Sequence, residues 1–149
     1  MEDLRLRVLL AEDMNEFRES LAYFLRELGG HSVTEAADGE QAWRLFQAEP
    51  FDCDVTNFLM DPALPDFVLA RGNPLNGDGF ARRIRASGST VPIIVYSGAP
   101  EDVREAFAGI DGVVITNWWD EVVKLLTVET PRHLLGPRRP AVKTTDRIQ

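Results

Sequence analysis

Five polar side chains that could do chemistry stand directly after apolar segments of the chain: Glu12, Asp13, Asn57, Ser97 and Asn117. An adjacent pair of carboxylates is a candidate site for a hard cation such as Mg²⁺. An Asp that precedes a helix can also serve simply as an N-cap. Asn57 is the unexpected member, because a neutral amide ends its segment where the other acids suggest a site built from carboxylates.

The segments that carry these residues alternate between two periodicities. "LRVLLA" (6–11) is a continuous apolar run, which is typical of a strand buried on both faces of a parallel sheet. "MNEFRESLAYFLRELGG" (14–30) has apolar residues at helical spacing and ends in two glycines. The pattern continues with strands predicted at 31–37, 51–58, 91–97 and 112–116, and helices at 38–49, 78–87, 100–110 and 120–126.

Five strand and helix pairs predict an α/β fold with a doubly wound, five-stranded parallel sheet between two layers of helices. In such a sheet, ligands bind outside the carboxyl ends of the strands. The polar residues that follow the strands are therefore expected to meet at one edge.

Length and composition favour one domain with an appendage. The 149 residues carry a net charge of -8, a single cysteine and two histidines, which leaves no disulfide framework or zinc cluster and suggests a reducing compartment such as the cytoplasm. We expect a domain at 1–128, with an inserted loop at about 61–76. The Pro- and Arg-rich tail at 129–149 is expected to be disordered.

Three classes of function are disfavoured. No apolar run approaches the roughly 20 residues that span a bilayer, so we expect no membrane contact. No Gly-rich phosphate loop follows the first strand, so we expect no enzyme and no cofactor, with weak Mg²⁺ binding as the one alternative. The acidic body argues against nucleic-acid binding by the folded domain.

The order of six segments resembles the receiver domain of bacterial response regulators. The segments are "VLLAEDMNEFRESLAYFLRELG", "TEAADGEQAWRLF", "FDCDVTNFLM", "NGDGFARRIRAS", "VPIIVYSGA" and "GVVITNWWDEVVKLL". The resemblance implies a flavodoxin-like sheet and a site that accepts a phosphoryl group from a histidine kinase in a two-component system. In such domains an acidic pair binds Mg²⁺ and an Asp ending the third strand is the nucleophile. A Ser or Thr after the fourth strand and a Lys after the fifth hold the phosphoryl oxygens.

Matched position by position, the resemblance assigns Glu12 and Asp13 to the acidic pair and Ser97 to the hydroxyl. Asn57 occupies the position of the nucleophile and Asn117 that of the Lys. The chain is thus expected to be a degenerate, or pseudo-receiver, variant.

Asn57 changes the expected chemistry. An amide oxygen carries no charge and is a poor nucleophile, so we expect no phosphorylation there and weak or absent Mg²⁺ binding. Asn57 and Asn117 are together neutral, as an Asp and Lys would be, and could hydrogen-bond each other or Ser97. Two alternatives stay open: an active receiver phosphorylated at another acid, such as Asp54 or Asp61, or the receiver part of a longer transcriptional regulator.

Without a phosphoryl switch, function is expected to lie in contacts with protein partners of a signalling pathway. Exposed aromatic residues are favoured interface anchors, which makes Trp118 and Trp119 candidates. The apolar residues Phe67, Val68 and Leu69 of the inserted loop are further candidates. A homodimer is one form that such a contact could take.

Overall fold

The computed structural model describes residues 5–58, 60, 72–97, 100–116, 122 and 126. Strands and helices alternate along these residues. The strands are β1 (Arg7–Ala11), β2 (Ser32–Ala36), β3 (Cys53–Asn57), β4 (Ile93–Tyr96) and β5 (Val113–Thr116). The helices are α1 (Asn15–Glu27), α2 (Gly39–Ala48), α3 (Gly77–Ala86) and α4 (Pro100–Ala106).

The strands form one parallel sheet in the order β2-β1-β3-β4-β5. The predicted fold class, a doubly wound five-stranded sheet of the flavodoxin-like type, is confirmed. Strand order reverses between β1 and β3, the place where open α/β sheets collect ligands. In the register, Ala11 lies beside Thr56, and Asn57 lies beside Tyr96.

Each face of the sheet has its own buried apolar cluster. One face packs against α2, α3 and α4, and its cluster includes Leu9, Phe80 and Val95. The opposite face packs against Leu21 and Leu25 of α1. Because helices cover both faces, nearly all residues of the central strands are buried, which explains the apolar runs of β1 and β4, whereas β3 also buries Asp54 and Thr56.

Local chemistry sets the helix ends. The Asp38 side chain accepts a hydrogen bond from Gln41 N at 2.8 Å and caps α2. The N-cap of α1 is Met14, without a side-chain cap bond, so Asp13 does not serve as the cap of that helix. Gly30 adopts a φ of 71° where the chain leaves α1, a conformation that favours glycine.

Several expectations lie outside the described residues. These are the tail at 129–149, most of the inserted loop (61–71) and most of the last helix, of which Val122 and Leu126 are described as helical and buried. Among the described helices, none is both long and apolar enough to cross a bilayer.

Candidate functional site

The carboxyl ends of β1, β3 and β4 bring Glu12, Asn57 and Tyr96 together. Glu12 is 2% exposed, although it is a carboxylic acid at a strand end. Asn57, the last residue of β3, donates from Nδ2 to Glu12 Oε2 at 3.4 Å. Tyr96, the last residue of β4, donates its hydroxyl to Glu12 Oε1 at 2.5 Å. Three neighbouring strands therefore contribute to one hydrogen-bonded cluster at the predicted edge of the sheet.

The Glu12 carboxylate is surrounded by donors. Besides the two side chains, the backbone N–H of Met14 donates to Oε2 at 3.0 Å. Burial raises the pKa of the Glu12 carboxyl, and the neighbouring Asp13 raises it further, whereas the hydrogen bonds from Tyr96 and Met14 oppose the increase. A buried carboxylate is costly unless donors replace its water shell, and these donors supply that replacement.

The orientation of the Asn57 amide follows from its hydrogen bonds. The backbone N–H of Phe58 donates to Asn57 Oδ1 at 2.8 Å, so this atom has to be the acceptor. Nδ2 is then the atom that faces Glu12. The two ends of an amide differ in this way, whereas a carboxylate offers acceptors only. Asn57 thus directs a donor, rather than a negative oxygen, toward the carboxylate.

Tyr96 was missed by the sequence reasoning. Burial raises the pKa of its hydroxyl, and Glu12 raises it further, so the phenol keeps its proton and donates. The signal that could have found it is a tyrosine inside the apolar run of β4, since a buried Tyr hydroxyl usually has a hydrogen-bond partner. Its partner is 84 positions away in the sequence, which no local pattern identifies.

The other predicted site residues are placed as follows. Asp13 is exposed, and Ser97 is half-buried with its backbone N–H bound to Thr116 O at 3.2 Å. Asn117 lies outside the described residues, so the expected bond between the two amides stays a prediction. The candidate partner-binding residues and one alternative acid also lie outside them: Trp118, Trp119, Phe67, Val68, Leu69 and Asp61.

Asp54, the other alternative acid, is enclosed in the core. It is 0% exposed, and neither carboxyl oxygen has a hydrogen-bond partner among the described residues. Burial raises its pKa well above the usual range, and Arg85 only partly opposes this. The Arg85 guanidinium donates to the carbonyl oxygens of Asp111 at 2.8 Å and Ser89 at 3.2 Å. Asp54 is therefore an inaccessible group in the core, with a raised pKa.

Helix α3 begins in close contact with the end of β3. Gly77 N donates to Phe58 O at 2.8 Å, and a Cβ at position 77 would stand 2.2 Å from Asn57 O. Asn76 Oδ1 accepts from Met60 N at 2.5 Å, and Asp78 Oδ2 accepts from Gly72 N at 2.6 Å. These hydrogen bonds join the start of α3 to Met60 and Gly72, which lie on either side of residues 61–71. The bond from Gly77 to Phe58 fixes α3 against the end of β3.

The residues present do not fit a bound Mg²⁺, the ion that the family resemblance implies. Mg²⁺ needs oxygen ligands, usually carboxylates and waters. Both Glu12 oxygens already accept hydrogen bonds, and the atom that Asn57 directs at them is a nitrogen. In the described part of the chain, no group of three His, Cys, Asp or Glu side chains could hold a metal ion.

Comparison with known proteins shows to which family the sequence is similar. The family model described as the response regulator receiver domain matches residues 8–115. A gliding motility regulatory protein of Myxococcus xanthus is 34% identical over 116 residues, which cover 74% of this chain and 13% of that protein. An alkaline phosphatase synthesis transcriptional regulatory protein of Synechococcus elongatus is 32% identical over 91 residues, 61% of this chain and 34% of that protein. The chain thus spans a minor part of both relatives.

A solved structure gives the same fold. The receiver domain of a sensor histidine kinase from Pseudomonas aeruginosa, determined with a magnesium ion coordinated in its active-site cleft, superposes with a TM-score of 0.64. The two chains are 27% identical, and the match covers 89% of this chain and 98% of the other.

Proposed function

The chain belongs to the response regulator receiver domain family, and from that premise we propose that it signals without phosphorylation at position 57, through contacts with a protein partner. Receiver domains are modules of two-component signalling that act through partner proteins. What is proposed for this chain is the degenerate variant of that function.

The observation that carries the proposal is the orientation of Asn57. Its oxygen accepts from Phe58 N, and its nitrogen faces Glu12. An uncharged oxygen engaged with a backbone N–H is a weak nucleophile toward phosphorus. The buried Glu12 offers no replacement, because its oxygens are held by donors.

The alternative acceptors have less support. Asp54 is fully buried and its pKa is raised, so a phosphodonor would have to open the core to reach it. Asp61 lies outside the described residues, so only an experiment can test whether it is phosphorylated.

The test is incubation of the purified protein with a small-molecule phosphodonor and Mg²⁺, followed by intact-mass measurement. We expect no added phosphoryl group. The Asn57→Asp variant is measured beside the wild-type protein, because the two proteins differ only in the carboxylate at position 57, and a known active receiver domain serves as the positive control for the phosphodonor. A phosphorylated wild-type protein would contradict the proposal, and mapping of the modified peptide would then identify Asp54, Asp61 or another acid.

A second candidate, the receiver part of a longer transcriptional regulator, is favoured by the match to the Synechococcus regulator, of which the chain covers 34%. An antibody raised against the purified domain would give the mass of the natural product in cell extracts. A product with a mass well above the 16.7 kDa of these 149 residues would support this candidate.

The partner surface is proposed to include Trp118, Trp119 and the apolar loop residues Phe67, Val68 and Leu69. Self-association is the simplest form of this contact to measure. Sedimentation of the wild-type protein and of the Trp119→Ala variant over a range of concentrations distinguishes a homodimer that uses this surface from a monomer that needs another partner.

A further inference from the structure

We infer that Tyr96 closes the Glu12 carboxylate to divalent cations, so that internal hydrogen bonds take the place of a bound metal ion. This inference rests on the proposed function and adds a residue to it. It assigns a role to a side chain that the position-by-position resemblance leaves without one.

The first step concerns how many hydrogen bonds the Glu12 carboxylate already accepts. A carboxylate in this position can stabilise its charge either by a cation or by hydrogen-bond donors. Here Tyr96 binds Oε1, while Met14 N and Asn57 Nδ2 bind Oε2. These donors take three of the roughly four lone-pair positions of the carboxylate, and a cation that approaches Oε1 meets the Tyr96 hydroxyl.

The second step concerns which donor blocks the site. The Met14 donor belongs to the backbone at the start of α1 and cannot be removed by a side-chain change. Asn57 makes the longer contact, at 3.4 Å, whereas the Tyr96 hydroxyl makes the shorter one, at 2.5 Å. Hydrogen bonds between a hydroxyl and a carboxylate are among the stronger ones in proteins. Tyr96 is therefore the main obstacle on the Oε1 side.

The third step concerns the rigidity of the tyrosine. Tyr96 is 7% exposed and belongs to the apolar cluster on the α1 face of the sheet. The β4 backbone that carries it is paired with Asn57 on one side and Thr116 on the other. The hydroxyl is thus held against Glu12 by packing, and it cannot swing away without opening the core.

The inference predicts that an aspartate at position 57 does not restore cation binding by itself. Asn57→Asp supplies a second carboxylate, but the Tyr96 hydroxyl still donates its hydrogen bond to Glu12 Oε1. Asn57→Asp combined with Tyr96→Phe removes the hydroxyl and keeps the ring, which preserves the packing.

The experiment measures Mg²⁺ affinity by isothermal titration calorimetry for four proteins: wild type, Asn57→Asp, Asn57→Asp with Tyr96→Phe, and Asn57→Asp with Tyr23→Phe. Tyr23 is the other tyrosine of the chain and is 59% exposed, so it is the matched control for losing a hydroxyl. We expect Tyr96→Phe to strengthen binding in the Asn57→Asp background by about tenfold or more, the ratio set by one charge-assisted hydrogen bond. Tyr23→Phe should leave the affinity unchanged.

Equal Mg²⁺ affinities of Asn57→Asp with and without Tyr96→Phe would overturn the inference, provided that circular dichroism shows both proteins folded. Should Tyr96→Phe unfold the Asn57→Asp protein, Tyr96→Phe alone is compared with the wild type, and an Mg²⁺ affinity no higher than that of the wild type would overturn the inference. The outcome is separate from that of the proposed function, which fails only if the wild-type protein takes up a phosphoryl group.

Discussion

Asn57 Nδ2 lies 3.4 Å from Glu12 Oε2, so the side chain that ends β3 donates to the acid that follows β1. The resemblance places a carboxylate at position 57, and two carboxylates at this separation would repel each other. The amide removes the repulsion and adds a donor. We therefore expect the cluster to need no cation for its stability.

The first prediction is that Asn57→Asp destabilises the metal-free protein by about 1–3 kcal/mol, because a buried carboxylate loses a donor and gains a negative neighbour. Urea unfolding in the presence of a chelator measures the change. Asn57→Ala is the control, since it removes the donor without adding charge. Asn57→Asp and Asn57→Ala of equal stability would show that repulsion is unimportant.

The second prediction follows from the expected pairing of positions 57 and 117. If the two amides replace an ion pair, adding Asn117→Lys to Asn57→Asp should recover most of the lost stability, because the lysine compensates the new charge. The same urea experiment provides the measurement. Single and double variants of equal stability would refute the pairing.

The third prediction is that Asp54→Leu stabilises the protein by about 1–3 kcal/mol near neutral pH, since it replaces a buried carboxyl that has no hydrogen-bond partner among the described residues by an apolar group. The folded-state pKa of Asp54 is raised. The folded protein therefore binds more protons than the unfolded chain, and this group's contribution to stability falls as the pH rises above the unfolded pKa of about 3.9.

The advantage of Asp54→Leu should accordingly grow from pH 4 upward until the raised pKa is passed, and thermal unfolding over this range measures it. Asp52→Asn is the matched control, because Asp52 pairs with Arg7 at 3.3 Å and its substitution should destabilise. A stabilisation by Asp54→Leu that does not depend on pH would contradict the raised pKa of Asp54.

The fourth prediction concerns His31, which is buried and joins two distant segments. Its Nδ1 accepts from Leu6 N at 3.0 Å, and its Nε2 lies 2.6 Å from Leu126 O. Since Nδ1 is the acceptor, Nε2 carries the proton. His31→Phe keeps the volume but leaves two backbone groups without this partner, at about 1–3 kcal/mol each.

Urea unfolding measures the loss, and faster hydrogen exchange at the Leu6 amide would locate it. Ser32→Ala, at the exposed neighbouring position, serves as the control. A His31→Phe protein as stable as the control would show that the two hydrogen bonds contribute little.

The fifth prediction is that Gly77→Ala destabilises the protein, although alanine is favoured over glycine by about 1 kcal/mol inside a helix. The added Cβ would stand 2.2 Å from Asn57 O, so α3 would have to move from the end of β3. Gly30→Ala is the comparison, because among the described residues no atom beyond its chain neighbours lies within 4 Å of the added Cβ, and its strain comes from its φ of 71°. The midpoint of thermal unfolding should fall further for Gly77→Ala.

The sequence by itself determined the elements and their order. Apolar runs and helical spacing depend on neighbouring residues, so the strands and described helices were predicted with errors of only a few residues, the largest at α4, which ends at Ala106 rather than at 110. The position of Asn57 at the end of β3 was predicted for the same reason. Because parallel strands share a carboxyl edge, the meeting of Glu12 with Asn57 also followed.

Only the tertiary structure decided which atoms of the site meet. The bond from Tyr96 to Glu12 spans 84 positions, and that from His31 to Leu126 spans 95. Such contacts depend on strand register and on the direction of each side chain, which local patterns do not encode. The three hydrogen bonds to Glu12 were decided in the same way, while the weak or absent Mg²⁺ binding expected at Glu12 and Asp13 stays a prediction.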